Sequence, residues 1–230
     1  MVHQVTRFSD AYSAWESWNA NEFSFRSKQL LSVYNTLDKK SSELSSVVSY
    51  HLECARTLLD KTHDLVGPTG ETNELYTSGR GVVVLMHDAT GVSAQQILLA
   101  QLTAALAAGN SVVLCSDDNE VTQLIGDICT NLPAHLVQVA PFDAYHQLLE
   151  ANISGAGYIG SANTEQEINR QLAQRDGALI GLVSETDFEQ VTCALDPHLC
   201  LRFITERTRT INITAVGGNA TLLELGSDSH

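Results

Sequence analysis

The chain has 230 residues, of which 43% are hydrophobic, and this is enough for one sizeable buried core. Its formal charge of −14, from 27 acidic and 13 basic residues, opposes binding to a phosphate backbone or to an anionic membrane surface. Nucleic acid and membrane partners are therefore not expected, and no apolar run approaches the length of a membrane span.

The cysteines, the first residues and the histidines add three expectations. The five cysteines are odd in number and include no Cys-x-x-Cys pair, which predicts free thiols in a reducing cytoplasm. The start, MVHQVTRFSDAYSAWESW, lacks the basic start and the apolar run of a signal peptide. The eight histidines are scattered without metal-ligand spacing, so no metal site is expected.

Residues 9–62 have the apolar periodicity of helices. Ser9 is placed to cap a first helix, and a second is predicted over residues 23–37. Apolar residues recur with a period near 3.6 over residues 44–59, which predicts a third helix. His51 lies on that apolar stripe and is interpreted as a packed core histidine.

After a turn-rich connector at 67–73, strand and helix patterns alternate about five times. The predicted strands are 81–86, 111–115, 136–140, 157–160 and 178–183, and the predicted helices are 93–108, 120–130, 144–151 and 164–175. Because right-handed crossovers make successive strands parallel, this order predicts an α/β fold. We expect a Rossmann-like, doubly wound parallel sheet with N-terminal helices and a C-terminal β-flap.

The flap is predicted from two runs of strand composition, 207–214 and 220–225, on either side of Gly217-Gly218-Asn219. Open strand edges on such an arm favour pairing with another chain. The predicted organisation is a helical segment at 1–66, a Rossmann-like α/β domain at 67–205, a β-hairpin flap at 206–226 and a tail at 227–230.

The run ISGAGYIGSANTE contains Gly155-x-Gly157-x-x-Gly160, a literal match to the dinucleotide fingerprint. In a true fingerprint the glycines follow the first strand and open a helix, whereas Gly155 and Gly157 precede or begin the predicted strand. We interpret the match as accidental. A narrower hypothesis remains, in which free N–H groups at Gly160 and Ser161 hold a phosphate at a helix start. In the alternative, Ser161 or Asn163 simply caps that helix.

Several stretches resemble the aldehyde dehydrogenase superfamily. Residues 79–114 resemble its coenzyme-binding domain, and GYIGS at 157–161 resembles the strand and turn that meet the cofactor pyrophosphate. Residues 67–73, 168–186 and 206–226 make the chain most similar to the C-terminal aldehyde-dehydrogenase-like domain of the proline utilization A family. That family joins proline dehydrogenase to pyrroline-5-carboxylate dehydrogenase, so the resemblance implies a role in proline catabolism and NAD as the cofactor.

The family's catalytic groups are a cysteine nucleophile, an asparagine at the oxyanion and a glutamate base. Residues 87–91 (HDATG) stand where the resemblance implies the asparagine, and residues 115–118 (CSDD) stand where it implies a lysine on the adenosine ribose. Glu185 is the candidate for the glutamate. The nucleophile belongs to a further domain of the family, and Cys193 and Cys200 are interpreted as packing or surface thiols. We therefore predict no catalytic residue in this chain.

Three functions remain open. The first is a non-catalytic aldehyde-dehydrogenase-like domain that associates with itself or with a proline-catabolic dehydrogenase through the flap at 206–226. The second is an NAD-dependent pyrroline-5-carboxylate (glutamate semialdehyde) dehydrogenase. The third is a nucleotide-binding module that uses Gly160 and Ser161. We expect no cofactor for the first. NAD is the cofactor of the second, and the third would hold the phosphate of a nucleotide such as NAD or ADP.

Overall fold

The computed structural model describes residues 2–67 and 71–212. Its helices are α1 (Val2–Asn19), α2 (Phe23–Asp38), α3 (Ser42–Leu59), α4 (Val92–Ala107), α5 (Asn119–Ile128), α6 (Tyr145–Leu148), α7 (Ala162–Ala173) and α8 (Thr192–Leu195). Its strands are β1 (His63–Leu65), β2 (Glu71–Gly79), β3 (Val82–His87), β4 (Ser111–Cys115), β5 (Val137–Ala140), β6 (Gly155–Ile159), β7 (Leu182–Glu185) and β8 (Ile204–Asn212). Short 3-10 helices occupy Phe142–Ala144 and Leu199–Phe203.

Five strands form a parallel sheet in the order β5-β4-β3-β6-β7. The chain runs outward from β3 through β4 to β5, then crosses back to build β6 and β7 on the other side. Every residue of β3 is buried, as expected of a continuous apolar run in a sheet covered on both faces. The predicted fold class, an α/β structure with a doubly wound parallel sheet, is confirmed.

The N-terminal helices cover both faces of this sheet. Helix α1 packs on one face with α6 and α7, where Ala11 lies in the same apolar cluster as Val84. Helices α2 and α3 lie on the other face and enclose α4, which is buried along most of its length. Two side chains bond the last carbonyls of α4, because Trp18 Nε1 donates to Leu106 O at 2.9 Å and Arg26 Nε donates to Ala107 O at 3.1 Å.

Asn110, in the turn between α4 and β4, joins several elements through its buried side chain. Its Oδ1 accepts from the main-chain N–H groups of Arg80 at 2.7 Å and Gly81 at 3.1 Å. Its Nδ2 donates to Ala105 O and to Phe203 O, each at 2.9 Å. The amide therefore holds the start of β3, the end of α4 and the start of β8 together.

A second, antiparallel sheet has the order β1-β2-β8. Its long pairing runs from Glu71 opposite Asn212 to Gly79 opposite Ile204. The side chains of β8 are exposed from Glu206 to Ile211. Of the predicted flap at 206–226, the structure describes residues as far as 212, and these form a strand paired with β2. The predicted hairpin around Gly217-Gly218-Asn219 and the tail at 227–230 lie outside the described residues.

The structure corrects some predicted boundaries. Helix α1 begins at Val2, so Ser9 lies inside it and does not cap it. Residues 71–73 of the predicted connector are the start of β2, because they pair with distant residues of β8. The last strand of the parallel sheet is β7 rather than 178–183, and it starts after a turn in which Gly177 has a φ of 96°.

The helical packing bears on two further expectations. His51 is buried on α3 and its Nε2 lies 2.9 Å from Ala194 O, so its interpretation as a packed core histidine is confirmed. No helix in the described ranges is both long and apolar enough to cross a bilayer. The domain boundaries at 66/67 and 205/206 stay a prediction.

Candidate functional site

The carboxyl ends of the parallel strands meet at one edge of the sheet, where α/β proteins place their ligands. The switch point lies at β3, since β4 and β6 flank it and their connections leave in opposite directions. His87 ends β3, and Gly160 and Ser161 follow β6. The predicted site residues and the segments that depart from the aldehyde dehydrogenase pattern therefore share one edge of the molecule.

Gly160 and Ser161 lie together at the start of α7. Ser161 is the N-cap, and its Oγ accepts from Thr164 N at 3.3 Å, as the capping alternative predicts. The N–H of Gly160 donates to Glu185 O at 3.3 Å. A Cβ at Gly160 would overlap the Tyr158 side chain, so the glycine makes room for a buried tyrosine. Phosphate binding at this helix start stays a prediction.

The other fingerprint glycines lie within β6 rather than in a phosphate turn. A Cβ at Gly157 would overlap the side chains of Gln101 on α4 and Leu85 on β3. A Cβ at Gly155 would lie 3.2 Å from Val83 Cγ2. Close packing within the core, against α4 for Gly157 and against β3 for Gly155, thus accounts for both residues, which agrees with the interpretation of the match as accidental.

The structure brings Glu185 and Cys193 together, which the sequence did not predict. Glu185 ends β7 and is 8% exposed. Its Oε1 accepts from Asp187 N at 3.1 Å and its Oε2 accepts from Cys193 N at 2.9 Å. Both residues line a cleft of 390 Å³. Both carboxylate oxygens are therefore engaged in holding the loop between β7 and α8.

The thiols near this loop are poorly suited to nucleophilic attack. Burial raises the pKa of Cys193 to about 11, although a weak hydrogen bond from Gln101 Nε2, 3.6 Å from the sulfur, opposes the shift. Burial also raises the pKa of Cys200 to about 11. Both residues are therefore mainly protonated near neutral pH, whereas the thiolate is the nucleophilic form. All five cysteines are free thiols, and Cys193 and Cys200 are buried, as the first of the two alternatives, packing or surface thiols, predicts.

A second cleft, of 710 Å³, opens between the ends of β3 and β4. Its lining includes His87 and four acidic residues, Asp88, Asp117, Asp118 and Glu120. Residues from two sequence segments, 87–91 and 115–118, thus line one cleft. The sequence showed only that each segment departs from the aldehyde dehydrogenase pattern and did not predict the cleft. The two segments follow strands that were predicted to be parallel neighbours, and this order would have placed them together.

His87 is 2% exposed at the base of this cleft. Its Nδ1 lies 3.3 Å from Ser116 Oγ, and its Nε2 has no hydrogen-bond partner in the described part of the chain. Burial lowers the pKa of His87, against the opposing charges of Asp118 and Asp88. The imidazole is therefore neutral near pH 7, and these carboxylates lie near enough to affect it.

These residues do not fit a dinucleotide well. The four carboxylates would repel its phosphates, and Ser161 already occupies one of the N–H donors at the start of α7. Within residues 2–67 and 71–212, no three His, Cys, Asp or Glu side chains are grouped closely enough to hold a metal ion.

The sheet order and its carboxyl edge define a Rossmann-like α/β fold. The chain is 29% identical over 162 residues to the bifunctional protein PutA of Salmonella typhimurium, which covers 70% of this chain and 11% of PutA. It is also 29% identical over 164 residues to PutA of Rhizobium meliloti, covering 71% of this chain and 12% of that protein. No family model matches the chain.

Solved structures share the fold. A structure of proline utilization A with proline bound in remote sites matches with a TM-score of 0.70 and 23% identity, over 80% of this chain and 22% of that one. The 1-pyrroline-5-carboxylate dehydrogenase from Thermus with bound NAD matches with a TM-score of 0.66 and 17% identity, over 80% and 42%. The predicted resemblance to aldehyde dehydrogenases and to proline utilization A is confirmed, and the chain spans about a tenth of its curated relatives.

Proposed function

We propose that this chain is a non-catalytic aldehyde-dehydrogenase-like domain that acts by association, either with itself or with a proline-catabolic dehydrogenase. The observation that carries the proposal is the contact between Glu185 and Cys193. The glutamate that would act as base accepts two main-chain hydrogen bonds, and the thiol beside it has a pKa raised to about 11. A carboxylate and a thiol held in this way stabilise a loop instead of attacking a carbonyl carbon.

The antiparallel sheet is the surface proposed for association. Strand β8 pairs with β2 along one edge, and no described strand pairs with its other edge. Such an edge presents main-chain N–H and C=O groups that a strand of another chain can bind. Ile211 on this strand is 48% exposed, which adds an apolar contact to the polar edge. The similarity to PutA, a bifunctional protein, supports a dehydrogenase of proline catabolism as the partner.

Sedimentation velocity over a range of concentrations tests association, with and without a proline-oxidising enzyme. We expect self-assembly or a mixed complex, and we expect Ile211→Lys to weaken it about ten-fold, the equivalent of about 1.4 kcal/mol. Val92→Lys is the matched control. Val92 is 49% exposed, but it lies at the start of α4 and is not part of the antiparallel sheet. A chain that stays monomeric at high concentration and binds no such enzyme contradicts the proposal.

The second candidate is an NAD-dependent pyrroline-5-carboxylate dehydrogenase. The fold shared with the NAD-bound Thermus enzyme favours it. It requires turnover of pyrroline-5-carboxylate by this chain with NAD, and loss of that turnover in Glu185→Ala. Calorimetry with NAD and with ADP tests whether Gly160 and Ser161 hold a phosphate. Turnover lost on Glu185→Ala would replace the non-catalytic proposal, whereas nucleotide binding alone would support the third candidate, a nucleotide-binding module.

A further inference from the structure

We propose that the cleft between the ends of β3 and β4 binds a small organic cation of the alkyl diamine class. This ligand goes beyond the association function and does not depend on it. Two independent features carry the inference, the charge of the cleft lining and an unpaired polar atom on a buried side chain of that lining.

The first feature is a lining of one charge. Asp88, Asp117, Asp118 and Glu120 contribute carboxylates to the cleft, and its lining among the described residues includes no lysine or arginine. A cleft lined by one sign of charge concentrates ligands of the opposite sign. Within the described residues, the carboxylates of Asp88 and Glu120 have no hydrogen-bond partner, and both residues are exposed. Two negative groups are thus available to ammonium groups.

The remaining carboxylates also disfavour an anion. Asp118 Oδ1 caps α5 by accepting from Glu120 N at 2.8 Å and Val121 N at 3.2 Å. Asp117 Oδ1 accepts from Phe142 N at 3.0 Å. The main-chain donors that a phosphate would need at this helix start are therefore occupied, while each aspartate keeps a second oxygen for a cation.

The second feature is His87, which lines the cleft and is almost wholly buried. Its Nδ1 faces Ser116 Oγ at 3.3 Å, and its Nε2 lacks a partner among the described residues. A buried polar atom without a hydrogen-bond partner is unfavourable, so a ligand that bonds to it is favoured. In a neutral imidazole whose Nδ1–H donates to Ser116, Nε2 accepts a hydrogen bond from an ammonium N–H.

The geometry favours an organic cation over a metal ion. Calcium and magnesium need several oxygen ligands within about 2.0–2.6 Å of one point. The described side chains include no group of three metal-ligating residues so arranged. A volume of 710 Å³ instead suits a small molecule. The methylene chain of a diamine would lie near Ala89 and Phe142, which also line the cleft, while its ammonium groups reach separate carboxylates.

Calorimetry on the full chain with 1,4-diaminobutane, at low ionic strength, tests the proposal. We expect saturable binding at one site and no binding of uncharged 1,4-butanediol. The double variant Asp88→Asn/Glu120→Gln removes the two free carboxylates without removing the main-chain hydrogen bonds accepted by Asp117 and Asp118. Its affinity for the diamine should fall by about ten-fold or more, because the variant loses two negative charges that attract the ammonium groups.

The matched control is Glu16→Gln/Asp64→Asn, which removes the same two charges from exposed positions outside the cleft. Its affinity for the diamine should stay within about two-fold of the unsubstituted chain. Equal losses in both double variants would show attraction to net charge alone and would overturn the proposal. Absence of saturable binding, equal binding of the diol, or tighter binding of calcium chloride would each overturn it too.

A third variant, His87→Phe, tests the buried acceptor while keeping an aromatic ring in the core. Diamine affinity should fall about five-fold because Nε2 accepts from the ligand, and unchanged affinity in a folded variant would overturn the proposal. If this variant fails to fold, the two double variants still decide the proposal. Sedimentation of Ile211→Lys reports on association separately, so failure of one proposal is distinguishable from failure of the other.

Discussion

The two sheets of this chain are stabilised in different ways. Strand β3 is buried throughout because helices cover both faces of the parallel sheet. Strand β8 is exposed from Glu206 to Ile211 and is stabilised by pairing with β2 and by polar contacts such as Arg209 with Glu74. We therefore expect the parallel sheet to contribute more to the free energy of unfolding than the antiparallel sheet does.

The largest loss of stability is expected from a substitution in α4, which packs on the parallel sheet. Leu98 is fully buried, so Leu98→Ala should lower the free energy of unfolding by about 3 kcal/mol through lost burial and a residual cavity. Urea unfolding followed by circular dichroism measures the change. Leu31→Ala on α2 is the control, since Leu31 is 48% exposed and should lose less than about 1 kcal/mol. Equal losses in the two variants would contradict the comparison.

Asn110 connects the two sheets, because its side chain joins the start of β3 in the parallel sheet to the start of β8 in the antiparallel sheet. Asn110→Ala should cost about 2 kcal/mol, since it leaves buried main-chain groups of Arg80, Gly81 and Phe203 without a partner. The same unfolding experiment measures it. The exposed Asn163 gives the control variant Asn163→Ala, which should change stability by less than about 0.5 kcal/mol.

Acid should lower the stability of the chain through two buried histidines, His51 and His87. Burial lowers the pKa of both His51 and His87, whereas the unfolded chain protonates histidine near about 6.5. As pH falls from about 7 through about 6.5, the unfolded state binds more protons, so the free energy of unfolding decreases. The melting temperature should be lower at about pH 5.5 than at about pH 7.5.

The variant His51→Gln separates the histidine effect from other acid effects. Glutamine keeps a donor for Ala194 O but does not titrate, so the difference in melting temperature between the two pH values should shrink. An unchanged difference would remove His51 from the account. Thermal unfolding followed by fluorescence or circular dichroism provides the measurement.

The smallest effect is expected at the exposed ion pair. Arg209 is largely exposed, so Arg209→Gln should change the free energy of unfolding by no more than about 1 kcal/mol despite its contact with Glu74. A double-mutant cycle with Glu74→Gln measures the coupling at low and high salt. A coupling energy above about 2 kcal/mol would contradict the expectation that polar contacts on the antiparallel sheet add little to the free energy of unfolding.

The sequence predicted the parallel sheet because its signals are local. Apolar runs predicted β3, β4 and the long helix α4 correctly, because each run lies within the element itself. The start of β2 was missed because it pairs with Asn212, which lies far along the chain. Turn-forming residues at 67–73 indicated a connector locally, and long-range pairing with β8 overrides that preference.

The candidate site was predictable only in part. The lost asparagine and lysine were visible from the resemblance, and the cap at Ser161 was one of two stated alternatives. The bonds from Glu185 to the loop depend on how residues 186–192 return Cys193 to the end of β7, with Val191 in the left-handed region at a φ of 44°. The unpaired nitrogen of His87 depends on how its ring is packed, which no local pattern encodes.

The burial of α4 has a practical consequence for shortening the chain. Because α2 and α3 cover the side of this helix that the sheet leaves free, α4 is buried from Ile97 to Ala107, beyond its partly exposed first turn. A fragment starting at residue 67 would present a continuous leucine and alanine surface to solvent and should aggregate instead of folding. The N-terminal helices are therefore needed to keep the apolar surface of the α/β portion out of water.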